Sequence, residues 1–139
     1  MQTDAAARRW AETWQRGWEA LDTELVLTLY ADGALLSTEP FRAPFRGRGG
    51  VRDYVSRVFA EEQSPRVWMA EPIVDGDRAA ISWWASMGEQ GADVSYAGTS
   101  NLRFDDDGLV LEQWDTWNMV AERRDAPDAP DAWGPFARR

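Results

Sequence analysis

Two carboxylates draw attention by position. Asp115 lies in the alternating stretch LVLEQWDTWNM, in phase with Leu109, Leu111, Gln113, Trp117 and Met119. In a strand that parity puts all six on one face. This face is the more apolar one, so it turns inward and takes Asp115 with it. An inward carboxylate left unpaired costs on the order of several kcal/mol. Two readings follow. Asp115 is an internal anchor, hydrogen-bonded to Tyr96, Ser100 or an indole N–H. Or it sits in a wet pocket as a proton acceptor and donor, with desolvation raising its pKa above about 3.9. The second carboxylate is Glu39, beside Pro40. It is either a second acid/base group or an exposed residue at a strand end.

The rest of the composition narrows the chemistry. There is no Cys and no His, and all 15 basic residues are Arg. Disulfides, thiolates, imidazole catalysis and lysine Schiff bases are excluded. No metal and no cofactor is expected. Asp105-Asp106-Asp107-Gly108 lacks the alternate spacing and downstream Glu of a calcium loop and reads as a hairpin turn. Arg42, Arg46 and Arg48 form a loop that either receives an anionic group at a pocket mouth or pairs with nearby acids.

The nine Trp suggest a wide aromatic interior, an aromatic interface, or both. Trp14, Trp18, Trp83 and Trp117 are expected to form a wall around a small apolar or polycyclic ligand. Tyr30, Tyr54, Tyr96 and Ser100 are candidate donors to a substrate oxygen, and Gln113 shares the face of Asp115. The competing reading is that these rings fill the interior themselves.

The elements that must position these groups follow from periodicity. Trp10, Trp14, Trp18 and Leu21 make a helical stripe on a first helix, capped by Asp4 and ending near Ala20. Asp22 caps a short second helix, TELVLTLY, ended by Gly33. ALLST is a short strand. A third helix spans about Gly50 to Glu62. The period then changes to two. RVWMAEPIV, RAAISWWASM, DVSYAGTSNLRF and LVLEQWDTWNM read as four strands joined by VDGD, GEQGA and DDDG turns. Trp83, Tyr96, Leu102, Leu111 and Trp117 fall on the inner face, Val110, Trp84, Trp114 and Arg103 on the outer. Gly98, on the inner face, marks a bend or room for a ligand. Pro72 interrupts the first of these strands and leaves its inner face open. Residues 1–119 form one α+β domain and 120–139 a Pro/Asp-rich tail, which Trp133 and Phe136 could dock.

The Trp14/Trp18 helix, LTLYADGALLSTEPFRAPFRGRGGVRDYV, VDGDRAAISWWASM and AGTSNLRFDDDGLVLEQWDTWN resemble the nuclear transport factor 2-like superfamily, in its SnoaL-like branch, over about residues 6–119. The resemblance implies a cone: a curved antiparallel sheet wrapped by three N-terminal helices, a cystatin-like α+β barrel with the ligand inside. It also implies a homodimer. It leaves activity open, because the fold hosts isomerases, cyclases, dehydratases, epoxide hydrolases and non-catalytic binders. Against the ketosteroid isomerase pattern, Trp14 stands at the oxyanion-hole Tyr, Glu39 at the general base and Ser100 at the protonated Asp. All three differ. Limonene epoxide hydrolases have an Asp near Asp115 but add an inward Arg and Asp that find no match here. SnoaL-like polyketide cyclases use an inward Asp as base, the role open to Asp115. The expected function is thus a cyclase, isomerase or lyase, with a non-catalytic ligand-binding or dimerisation module as the alternative.

The net charge of −9 disfavours nucleic acid. No apolar run reaches membrane-spanning length, and MQTDAAARRW lacks the apolar core of a signal peptide. A cytoplasmic location is the expectation.

Overall fold

The computed structural model describes residues 2–127. Trp133 and Phe136 lie outside them. Helix α1, Thr3–Ala20, is followed by α2, Thr23–Leu27, strands β1, Tyr30–Ser37, and β2, Phe45–Arg46, and helix α3, Gly47–Ala60. The remaining strands are β3, Glu62–Met69; β4, Ile73–Asp75; β5, Arg78–Glu89; β6, Ala92–Phe104; and β7, Val110–Val120. The sheet runs β2-β1-β7-β6-β5-β3, with β4 also paired to β5. It is curved and unclosed. All pairs are antiparallel except β1 with β7, which are joined not by a hairpin but by a crossover through β2, α3 and β3–β6. The α+β cone is therefore present, as an open sheet and not a closed barrel. Among the described residues no helix is long and apolar enough to cross a membrane.

The helix ends differ in part from expectation. Gln2, not Asp4, precedes α1; Asp4 instead pairs with Arg8 one turn on. Asp22 does cap α2, its carboxylate accepting from the Leu25 N–H at 3.1 Å. That helix stops at Leu27, and Gly33 lies within β1. The Tyr-Ala-Asp-Gly stretch pairs with β7 through a register shift between Tyr30 and Leu35, so the expected helix end is a strand irregularity.

Helix α1 closes the cone along its open edge. Gln15 Nε2 donates to the Val67 carbonyl, and the Val67 N–H donates to Glu19, both at 2.8 Å. These bonds satisfy part of the edge strand β3, which would otherwise present bare backbone. Inside, Trp10 and Trp14 pack with Val55, Phe59, Ile81, Trp83, Met87 and Leu102 in one core.

Alternation sorts the inner face correctly along β5 and β6: Ile81, Trp83, Ala85, Met87, Val94, Leu102 and Phe104 are buried. In β7 it fails at two places. A register shift after Arg103 leaves Leu111 without a partner and brings Val110, expected outside, fully into the core. Leu111 is only half-buried, since the bulge resets the parity. Met119, expected inside, is 55% exposed although it still pairs with Tyr96 near the end of β7. Gly98 stands opposite Trp117, where an added Cβ would strike the Thr116 carbonyl and lie 2.7 Å from Trp117 Cβ. The strands approach more closely there than any side chain allows.

The segment after β7 turns back over the outer face of the sheet. Trp84 Nε1 donates to the Arg124 carbonyl at 2.7 Å, and Ser95 Oγ to the Glu122 carbonyl at 2.7 Å. Arg123 donates to the Ser64 and Gln63 carbonyls, and Ala126 is buried. Trp84, expected on the outer face with Trp114, is thereby half-buried by this chain's own residues.

Candidate functional site

The concave face of the sheet, α1 and α3 enclose a cavity of about 250 Å³. Asp115, Ser100 and Gln113 lie on one side of it, Glu62, Glu89 and Tyr96 on another, and Thr38, Glu39 and Tyr54 also line it. Trp14, Trp18, Trp83 and Trp117 stand in the wall, together with Trp10 and Phe59. Several of these rings meet nearly edge to face: Trp14 with Trp18 at 5.9 Å, Trp18 with Trp83 at 5.7 Å, Tyr96 with Trp117 at 5.3 Å. Such contacts stiffen the wall and set its faces at steep angles.

Asp115 is the centre of a directed hydrogen-bond network. Indole N–H groups only donate, and that fixes the direction of every bond behind them. Trp83 Nε1 donates to Ser100 Oγ at 3.0 Å, and Ser100 passes its proton to Asp115 Oδ1 at 2.6 Å. On the other side Trp14 Nε1 donates to the Tyr30 hydroxyl at 3.0 Å, which donates to Gln113 Oε1 at 2.5 Å. Trp10 Nε1 reaches the same oxygen at 3.3 Å. With its carbonyl end committed, Gln113 turns its amide nitrogen to Asp115 Oδ1 at 3.1 Å. Oδ2 receives only a long 3.4 Å contact from that nitrogen. The carboxylate is thus held by one oxygen and half-buried at the cavity surface. Burial pushes its pKa up to about 6, against the opposing pull of the Ser100 and Gln113 donors.

A second polar cluster was not legible in the sequence. Glu62, at the start of β3, is only 5% exposed and accepts from Trp18 Nε1 at 2.7 Å. It pairs in register with Glu89 of β5, which accepts from the Tyr96 hydroxyl at 2.6 Å. Burial pushes Glu62 up to about 7; the Trp18 donor works against this, while Glu89 and Glu61 add to it. In the sequence Glu62 reads as the polar end of the third helix. Only its pairing with Glu89 reveals that it has already entered the sheet.

Tyr30 is 2% exposed and stands behind the cavity wall, where burial raises its pKa; it orders Gln113 and does not reach a ligand. Tyr96 and Ser100 line the cavity, but their protons go to Glu89 and Asp115, so neither is a free donor to a substrate oxygen. Tyr54 lines the cavity too, its pKa raised by burial, with Thr38 close to its hydroxyl. Glu39 stands at the cavity edge in an ion pair with Arg42 at 2.8 Å. Arg48 donates to the Leu27 carbonyl, and Arg103 pairs with Glu112 on the outer face. Asp105 to Gly108 close a turn through the Asp105 carboxylate and carbonyl. Among the described residues no cluster of ligand-type side chains could hold a metal.

The SnoaL-like domain family matches residues 7–113. No curated protein matches the chain. Among solved structures, a hypothetical protein with a ketosteroid isomerase-like fold from Catenulispora acidiphila, in complex with trimethylamine, is 18% identical. It covers 76% of this chain and 82% of its own, with a TM-score of 0.67. A protein from Mycobacterium tuberculosis is 19% identical over 86% of this chain and 97% of its own, with a TM-score of 0.70. SalBIII, an epoxide hydrolase/cyclase-like enzyme of pyran ring formation in the polyether salinomycin, is 13% identical. It covers 84% of this chain and 95% of its own, with a TM-score of 0.73. At these identities the likeness is one of fold alone.

Proposed function

The chain belongs to the SnoaL-like domain family, and from that premise we propose that its cone binds a small, largely apolar ligand and moves a proton on it with Asp115. The observation that carries this reading is the polarity of the network. Both ordered donors converge on Oδ1, and Oδ2 is left for a ligand. A carboxylate poised at about 6 both takes and returns a proton near neutral pH. Proton removal and return is the step shared by cyclisation, double-bond migration and elimination. The cavity, at about 250 Å³, lies just below the usual range of ligand sites, roughly 300–1,000 Å³. That favours a monocyclic or bicyclic substrate over a larger polycyclic one. Glu39, already paired with Arg42, is proposed to act at the cavity edge.

The test is Asp115-dependent exchange of α-protons into deuterated water, followed by NMR on a panel of small cyclic ketones, both neutral and ammonium-bearing. Wild-type protein should catalyse exchange on at least one. Asp115→Asn should still bind that ketone but lose roughly 10²- to 10⁴-fold in exchange rate. Exchange undiminished in folded Asp115→Asn would make Asp115 an internal anchor instead.

One observation favours the second reading, a non-catalytic binding module. Tyr30, Tyr96, Ser100 and the lining indoles all direct their protons to protein oxygens. A developing oxyanion would therefore find few donors among the described residues. Binding without exchange across the whole panel would support it.

A further inference from the structure

The polar equipment of the cavity is one-sided. Among its described lining residues, Glu39, Glu62, Glu89 and Asp115 bear carboxylates, and none is an arginine. The five lining indoles each direct their N–H to a protein oxygen. Apart from the Tyr54 and Thr38 hydroxyls, which lie close to each other, what remains for a ligand is carboxylate oxygen and ring surface. Asp115 Oδ2 holds only the long Gln113 contact, and among the described residues nothing donates to Glu62 Oε2. The flat faces of Trp and Tyr carry partial negative charge and attract cations.

We infer that the cavity takes a small organic cation, an ammonium head with apolar substituents, in preference to a neutral or anionic ligand. The inference rests on the cavity being a ligand site, not on Asp115 moving a proton. An ammonium group satisfies every feature at once. Its charge relieves the mutual repulsion of Glu62 and Glu89, its substituents cover indole and phenol faces, and it asks for no hydrogen-bond donor. An anion would meet four carboxylates, of which only Glu39 is paired with an arginine, and a neutral ligand would leave the other three without a counter-charge. The nearest positive side chains lie outside: Arg42 is paired with Glu39, and the Arg57 guanidinium lies 5.8 Å over Phe45 and 5.9 Å over Tyr54.

The charged forms of the two buried acids should bind the cation, so affinity should rise with pH. The groups that face Asp115 are Ser100 and Gln113, with Tyr30 and Tyr54 nearby; those that face Glu62 are Trp18, Glu89, Glu61 and Tyr96, with Tyr54 nearby. None of them titrates as a cation.

Calorimetric titration of the full chain with three isosteric probes tests this: choline, 3,3-dimethylbutan-1-ol and 3,3-dimethylbutanoate. Near pH 8, choline should bind at least about tenfold tighter than the alcohol, and the carboxylate most weakly. Lowering the pH to about 5.5 should weaken choline and leave the alcohol unchanged. Glu62→Gln should remove most of the preference for choline; Glu89→Gln is the second variant should the first not fold. If the alcohol or the carboxylate binds as tightly as choline, the cation assignment is wrong while the ligand site stands. If all three are excluded, both fall.

Discussion

Gln113 holds its amide nitrogen 3.1 Å from Asp115 Oδ1 because its other end has no freedom to turn. Trp10 and Tyr30 both donate to its carbonyl oxygen, and a flipped amide would set N–H against N–H. Trp10 and Tyr30 therefore help to set the position of the candidate proton acceptor through Gln113, without touching it.

Ser100 is the other donor to Asp115, and it holds the carboxylate pKa down against burial. Ser100→Ala should raise that pKa from about 6 by roughly one unit. The carboxyl carbon shift of Asp115, followed by NMR against pH, reads this without any substrate. Where turnover is found, the acid limb of its pH profile should move up by the same amount.

The Tyr30 hydroxyl takes the Trp14 proton and gives its own to Gln113. Tyr30→Phe leaves the Trp14 indole unpaired in the core, which should cost about 1–3 kcal/mol. Urea denaturation should show a lower midpoint with an unchanged slope. Asp115 should also lose order, visible as broadening of its carboxyl resonance.

Glu62 and Asp115 both have raised pKa values in the fold, about 7 and about 6. Such groups favour the folded state below their unfolded values and lose that contribution as pH rises through the folded ones. Stability from these two should thus fall between about pH 4 and pH 7. Glu62→Gln removes the buried charge and should stabilise the protein by about 1–2 kcal/mol near pH 8, with little effect near pH 4. Thermal melts at the two pH values compare directly.

Gly98→Ala places a methyl against the Thr116 carbonyl and Trp117. Both obstacles belong to the paired strand, so relief requires backbone movement. A loss of about 3 kcal/mol is expected, read from the denaturant midpoint.

Trp114 on the outer face is 43% exposed, unlike Trp84, which the segment after β7 partly covers. An exposed indole of this kind suits a contact between copies of the chain, so a homodimer is predicted. Trp114→Ser should then shift sedimentation at micromolar concentration toward the monomer. A wild-type protein that already sediments as a monomer would rule the assembly out.

Sequence alone determined the order of the three helices, the strands β1 and β5 to β7, and the inward side of β5 and β6, because a period of two survives wherever strands pair without interruption; β2 was read as loop, and β3 and β4 as one strand across Pro72. It also put Asp115 on the cavity side, with Ser100, Gln113 and Trp83 on the same face of neighbouring strands. Tertiary structure decided what local pattern cannot encode. The bulge at Leu111 exchanged it with Val110, because a register shift depends on the partner strand. Glu62 left its helical context and met Trp18 and Glu89, residues distant along the chain. Above all, the direction of the hydrogen bonds came from packing. An indole can only donate, but which oxygen it meets is set by the fold, and that choice left the cavity with acceptors and almost no free donors.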